Sequence, residues 1–282
     1  MDLKHVLYEQ TDDIAKVTIN RLGSLNAISR RVYAELDDCI AKAEDDDSVK
    51  VIVIAGVGDN FGAGHDLGSA EMIEELPDFP RDTSKEGRVK SMDRGVYWRL
   101  HDRWRNVGKP MIAMVQGYCI MGSWMLASSC DLVVASEDAK FADRSVRWGG
   151  AHHEYPTHFW ELGVKKAKEY LWTGDFIDAH EAERLGLVNR VVARDELETA
   201  TMWLARRIAL NDAVALRLSK MSINQAADIM GQSAAVRASG NFWLIGGSGS
   251  GDSGSTEDSR VNWSKAQNER FDAQEREEGR PW

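Results

Sequence analysis

Apolar and polar positions alternate over residues 5–20, HVLYEQTDDIAKVTIN, and predict two short strands around a polar turn at Thr11–Asp13. The alternation breaks at RLGSLNAIS. A helical period follows, with Val32, Leu36, Cys39, Ile40 and Ala43 on one face and Ser29 placed as the N-cap. VKVIVIAG, 49–56, is an unbroken β-branched run, the pattern of a strand covered on both faces. Residues 70–88 are polar, contain Pro77 and Pro80, and predict a mobile loop, after which a helix resumes around 89–106. PMIAMVQG is a second buried strand ended by Gly117. SWMLASSC is a short helix whose N-terminus lies at Gly122, and DLVVASEDAKFA is a third strand region. Beyond Pro156 the pattern is mainly helical, with breaks at Gly163, Gly174, Gly186 and near Asn211.

Strand and helix alternate early and helices dominate late, which predicts an α/β domain over 1–195 and a helical region over 196–282. There is no internal repeat. GGSGSGDSGST, 246–256, is a flexible low-complexity segment. The charged stretch after it, DSRVNWSKAQNERFDAQEREEG, reads as a helix suited to docking on another subunit.

Composition narrows the function classes. The 282 residues are 43% hydrophobic and 28% charged, ordinary for a soluble globular chain with a sizeable core. A net charge of −10 argues against nucleic acid as the partner. Cys39, Cys119 and Cys130 are odd in number and lack metal-type spacing, so they read as reduced thiols. The N-terminal stretch has no signal-peptide core and no apolar run reaches membrane-spanning length, so a cytoplasmic protein is expected.

The candidate chemistry sits at two strand-to-turn junctions. One is Ala63-Gly64-His65-Asp66, within FGAGHDLGS; the other runs from Gly117 to Ser123. Each follows a buried strand and can leave a backbone N–H free. Two such donors aimed at one oxygen form an oxyanion hole. Spacing alone serves a pair of tight turns equally well.

The ordered blocks LNAIS, VKVIVIAGVGDNFGAGHDL, KPMIAMVQGYCIMGSWMLASSCDLVVASEDAKFAD and LWTGDFIDAHEAERLGLVNRVV resemble the crotonase (enoyl-CoA hydratase/isomerase) superfamily over about residues 5–210. The resemblance implies an α/β fold with a crotonase-like ββα spiral core, a helical C-terminal trimerisation region and an acyl-CoA thioester ligand. It places the oxyanion N–H groups at His65 and Gly122. It implies an acyl-CoA path along Ser24, Leu25, Ala27, Ala63, Gly64, His65, Asp66, Leu67, Tyr118, Gly122 and Ser145. CoA belongs to the substrate, so no separate cofactor is expected. A homotrimer or homohexamer is the implied assembly.

The chain also departs from the family pattern. Hydratases of this family use two glutamates, and the matching positions here are Met125 and Ser145, neither able to do a carboxylate's acid–base work. The usual triple glycine is Met121-Gly122-Ser123. The replacement candidates lie in WGGAHHEYPTH: His153 first, where some relatives carry an aspartate, then His152 and Glu154. Tyr155 and His158 share that segment. Relatives similar to methylmalonyl-CoA decarboxylase share the AGHD turn, which gives the His65 side chain a second role against a substrate carboxylate. Asp66 reads as a turn or capping residue. Arg144 and Arg147 would pair with nearby acids or bind a second substrate carboxylate. Adjacent His152 and His153 point different ways on a regular backbone, so no metal site is expected. The leading expectation is enoyl-CoA hydration or isomerisation through a thioester enolate. The alternatives are C–C bond hydrolysis or decarboxylation of a β-keto or malonyl-type acyl-CoA, and a non-catalytic CoA-binding subunit.

Overall fold

The computed structural model describes residues 2–79, 84, 86–87, 90, 96–249 and 257–279. Strands β1 (Val6–Thr11) and β2 (Ile14–Ile19) form the predicted hairpin, with Asp12 in the turn at φ 53°. β3 (Val51–Gly56), β4 (Met111–Val115), β6 (Leu132–Ser136) and β9 (Arg190–Val192) extend it in parallel, in the order β1-β2-β3-β4-β6-β9. A second sheet holds β5 (Tyr118–Ile120), β7 (Lys140–Ala142) and β8 (Ile177–Asp178), in the order β5-β7-β8. With its helical C-terminal region, this is the α/β fold expected from the sequence.

The unbroken apolar runs follow from burial on both faces. Alternate residues of the central strands, such as Val51, Val53, Ala55, Ile112 and Met114, pack under Leu197, Ala205 and Ala209 of helix Leu197–Ala209. Their neighbours Ile52, Ile54, Ala113 and Val115 meet helix Arg30–Asp45 and the second sheet through Leu36, Ile40 and Phe141. Helix Arg30–Asp45 starts where predicted: the Ser29 side chain accepts the Val32 N–H. Buried Glu35 ties the N-terminal segment to this helix, accepting the N–H groups of Lys4, His5 and Val6.

Three local expectations change. Residues 70–88 are not all loop: Ala70–Glu75 is a helix capped by Ser69. Its last residue, Glu75, is buried, accepting the Ser29 hydroxyl and pairing with the His5 ring. A six-residue polar helix has no periodicity to read, and a buried carboxylate disguises its inner face. Residues 76–79, with Pro77, form the turn after it, whereas Pro80 and most of 81–95, the start of the helix expected at 89–106 included, lie outside the described residues, which resume in helix Val96–Arg105. The single strand region at 131–142 is two strands, β6 and β7, in different sheets.

The C-terminal region consists of helices Ala213–Ile229, Gln232–Gly249 and Glu257–Glu278. Of the glycine- and serine-rich segment, 246–249 end the second of these helices, and 250–256 lie outside the described residues. The final helix packs on its own chain: Arg147 lies 4.0 Å over the Phe271 ring, and its guanidinium approaches the Asn268 side chain. Cys39 and Cys119 are buried, Cys130 is half-buried, and all three are free thiols. Among the described residues, no helix is long and apolar enough to cross a membrane.

Candidate active site

The two predicted turns follow the carboxyl ends of β3 and β4, the usual place for a ligand in an open parallel sheet. They are stitched together. Gly62 donates its N–H to the Tyr118 carbonyl at 2.8 Å, and Ile120 returns an N–H to the Gly62 carbonyl at 3.1 Å. Gly64 donates to the Ser123 hydroxyl at 3.0 Å. Gly64 has φ +97°, and a Cβ there would sit 2.9 Å from the Ile120 carbonyl oxygen and 3.6 Å from the Gly122 nitrogen. Only glycine fits that conformation and that approach.

This stitching leaves two donors unused. His65 forms a parallel bridge with Ile28 in which Ile28 donates to the Gly64 carbonyl and Asp66 donates to the Ile28 carbonyl. The His65 N–H itself donates to no other described residue. Gly122 is the first residue of helix Gly122–Ser128, where an N–H has no intrahelical acceptor, and it too donates to no other described residue. Met121, before it, holds φ 45° and ψ −111°, a strained backbone for a residue with a side chain.

The His65 imidazole lies against Gly122, so close that a Cβ on Gly122 would fall 2.6 Å from the ring. Its Nε2 is 2.9 Å from Glu154 Oε2, and its Nδ1 is 3.4 Å from the Tyr33 hydroxyl. Burial drives the Tyr33 phenol well above its ordinary pKa, so it is a neutral donor. The ionised Glu154 carboxylate can only accept, so Nε2 carries the proton between them. Burial pushes the Glu154 carboxyl upward, but the charge and hydrogen bond of His65 outweigh it and Glu154 ends below its ordinary value. Glu154 is therefore an ionised carboxylate, only 7% exposed.

A small, partly open pocket of about 70 Å³ is lined by Ile28, Tyr33, His65, Leu67, Tyr97 and Glu154 among others. Asp66 also borders it and serves as the expected turn residue. It accepts the N–H groups of Gly68 and Ser69 and pairs with Arg21 at 2.9 Å. Ser24, Leu25 and Ala27 lie in the neighbouring loop, where the Leu25 carbonyl accepts the Ala63 N–H at 3.0 Å. Tyr118 stacks on Phe176, and Ser145 is tied to Asp143 Oδ1; neither borders the cavity.

The structure separates the histidine segment into distinct environments. Glu154 joins His65. His153 is 1% exposed, lies beside His158 and Trp124, and does not border the cavity. Burial holds its imidazole neutral, with a pKa well below the ordinary value. His152 donates its Nδ1–H to the His153 carbonyl, 2.7 Å away, and burial lowers its pKa. Arg147 pairs with Asp175 at 2.8 Å, the simpler of its two expected roles, whereas Arg144 lies over the Phe176 ring.

Tyr33, Tyr97 and His101 are site residues that the sequence did not reveal. Tyr33 sits beside the apolar helix stripe and reads as packing. His101 stacks on Tyr155 and meets Trp104 and Tyr33 edge-on, and burial pushes its pKa down to about 3.

The enoyl-CoA hydratase/isomerase family model matches residues 9–242. A Mycobacterium tuberculosis protein named "Putative enoyl-CoA hydratase EchA13" is 42% identical over 248 residues, covering 83% of this chain and 78% of its own. The short-chain-enoyl-CoA hydratase of Clostridium acetobutylicum is 33% identical over 229 residues, covering 80% of this chain and 83% of its own. The crystal structure of a probable enoyl-CoA hydratase from Mycobacterium smegmatis superposes with a TM-score of 0.80 at 41% identity, over 86% of this chain and 95% of that one. Sequence blocks, sheet order and paired turns agree with these matches: the chain belongs to the enoyl-CoA hydratase/isomerase family.

Proposed function

We propose that the protein is an acyl-CoA-processing enzyme that stabilises a thioester enolate between the N–H groups of His65 and Gly122, with the Glu154 carboxylate moving the proton. The observation that carries this reading is the adjacency of two unused backbone donors and an ionised carboxylate. His65 and Glu154 border the small pocket, and Gly122 lies directly against the His65 ring. Enolate formation places negative charge on the thioester oxygen, where fixed N–H dipoles act most strongly. A carboxylate within reach supplies the base, and proton transfer of this kind requires no cofactor beyond the CoA that the substrate carries.

The positions where the family resemblance leads one to expect glutamates do not offer this chemistry. Met125 is fully buried in an apolar cluster with Tyr155 and Val236, and Ser145 is bound to Asp143. Glu154 takes their place in this scheme. It supersedes His153 as the first candidate, because His153 is neutral and walled off from the cavity. His65 then has two roles, a backbone donor to the oxygen and an imidazole that orients Glu154.

Hydration or isomerisation of an enoyl-CoA is the reaction this arrangement serves first. Incubation with an acyl-CoA panel and mass spectrometry of the products tests it. A gain of one water indicates hydration, an unchanged mass with altered retention isomerisation, and loss of carbon dioxide or of an acyl fragment the C–C-cleaving alternatives. An acyl-CoA that binds only the native state stabilises it by about 2.7 kcal/mol at a hundred times its Kd. A clear rise in melting temperature is expected. No rise and no calorimetric heat with any thioester would remove the ligand assignment. Binding without turnover of any thioester would leave a CoA-binding subunit.

Assembly as a homotrimer or a dimer of trimers is part of the proposal. Helix Ala213–Ile229 leaves Val214, Leu218, Met221 and Ile229 exposed along one face, an apolar stripe that needs a partner. Light scattering is expected to give the mass of three or six chains; a monomer at micromolar concentration refutes it. A cytoplasmic setting accords with three unpaired thiols.

A further inference from the structure

Behind Trp124, out of contact with the cavity, three side chains converge. Asp143, His153 and His158 each offer one ligand atom, and these atoms lie within 4.8 Å of one another. All three residues are buried, at 3%, 1% and 3% exposure. They come from different local structures: Asp143 follows β7, His153 lies in the glycine-led loop, and His158 opens helix His158–Leu162.

The polar atoms here are poorly satisfied. Among the described residues, neither ring nitrogen of His153 has a hydrogen-bond partner, and neither ring nitrogen of His158 has one of acceptable geometry. His158 Nε2 stands 3.1 Å from Asp143 Oδ2, the only ionic partner that Asp143 has among the described residues. The Asp143 carboxylate is otherwise fixed by Ser145 on Oδ1 and by the His153 N–H on Oδ2 at 2.8 Å. Leaving a buried polar atom without a partner is costly, and such groups in native proteins need an explanation. A proton shared between His158 and Asp143 satisfies one nitrogen and leaves His153 untouched.

We infer that Asp143, His153 and His158 form a binding site for a divalent transition-metal ion of the zinc class. Two imidazoles and one carboxylate are a standard donor set for such ions. Their ring centroids are 4.4 Å apart and tilted by 32°, so both rings can address one point. At metal–ligand distances of about 2.0–2.2 Å, ligand atoms on a tetrahedral ion stand about 3.4 Å apart, so a gap as wide as 4.8 Å has to close by about 1.4 Å as the ion binds. The second-shell contacts that fix the carboxylate are already present. The sequence argument against a metal rested on His152 and His153 pointing apart, and they do. The partners of His153 are instead Asp143, ten residues before it, and His158, five after it. An ion there would clip the loop ahead of Glu154 to the following helix, holding the carboxylate's backbone in place. This is a positioning role, separate from the proposed chemistry.

The test uses chelator-treated protein, equilibrium dialysis against zinc and elemental analysis, with cobalt(II) as a spectroscopic substitute. The parent is expected to retain one ion per chain, to gain visible cobalt ligand-field bands, and to melt higher with zinc than without. His153→Gln and His158→Gln should each weaken zinc binding by at least about tenfold, the scale on which even outer-shell changes act. His152→Gln should bind like the parent. Substoichiometric zinc with no cobalt bands in the parent overturns the inference, whether or not the variants fold. Folded His153→Gln and His158→Gln proteins that bind as tightly as the parent overturn it equally, since the ion would then sit elsewhere.

Discussion

Glu154→Gln is expected to lower kcat by about 10²–10⁴-fold on the acyl-CoA that the parent turns over, the usual worth of a positioned acid–base group. Glutamine keeps the shape and an oxygen for His65 to donate to, so the fold and thioester affinity should change little. The parent's pH profile gives a second signature. The Glu154 carboxyl is held below its ordinary value, the upward push of burial being outweighed by the charge and hydrogen bond of His65. Its ionised form therefore persists through neutral pH, and activity should fall only as pH drops through a pKa below 4.5. His65→Ala keeps the backbone N–H but removes the counter-group. The largest contributions opposing burial are then gone, and the acid limb should move to higher pH. A Glu154→Gln enzyme with parental kcat, or a His65→Ala profile with an unmoved limb, would place the base elsewhere.

The legible and illegible parts of this chain divide along physical lines. Strands β3 and β4 were readable because double-sided burial leaves no polar position in either run. The Arg30–Asp45 helix was readable because one face meets the core and Ser29 caps it. The first turn was readable as a turn, since glycine and small residues crowd there, but the stretch read as the second, Gly117–Ser123, holds the short strand Tyr118–Ile120, whose pairing with β7 no local pattern encodes. What escaped is side-chain partnership across the chain. Glu154 meets His65 across 89 residues, and Tyr33 meets it across 32. No local period encodes such pairs. His153 outranked Glu154 in the sequence because a histidine titrates near neutrality. That argument holds only for an imidazole that water or a partner can reach, and burial beside His158 and Trp124 removes the premise. The same loss of locality hid Asp143, which a sequence reader meets as an unremarked residue before Arg144.

Gly122→Pro should cost at least about a hundredfold in turnover relative to Gly122→Ala, and that pair of variants isolates one hydrogen-bond donor. Any Cβ at residue 122 enters the space of the His65 ring, 2.6 Å away, so alanine already disturbs the ring and with it the hold on Glu154. Alanine nevertheless keeps the N–H. Proline adds the same intrusion and removes the donor outright. Helix Gly122–Ser128 should survive, because residue 122 is its first position, where proline is well tolerated and the N–H is unbonded within the helix. The backbone strain falls on Met121, already at φ 45° and ψ −111°, so circular dichroism must accompany the assay. Loss of one oxyanion donor costs about 2.7–4 kcal/mol of transition-state stabilisation, or about 10²–10³ in kcat. The alanine variant reports the steric part and the difference between the two reports the donor. Equal turnover in two folded variants would remove the Gly122 N–H from the mechanism and leave the paired turns as structure alone. A deficit confined to proline, with thioester affinity nearly unchanged, is the result expected of a group that acts on charge developing in the transition state rather than on the bound substrate.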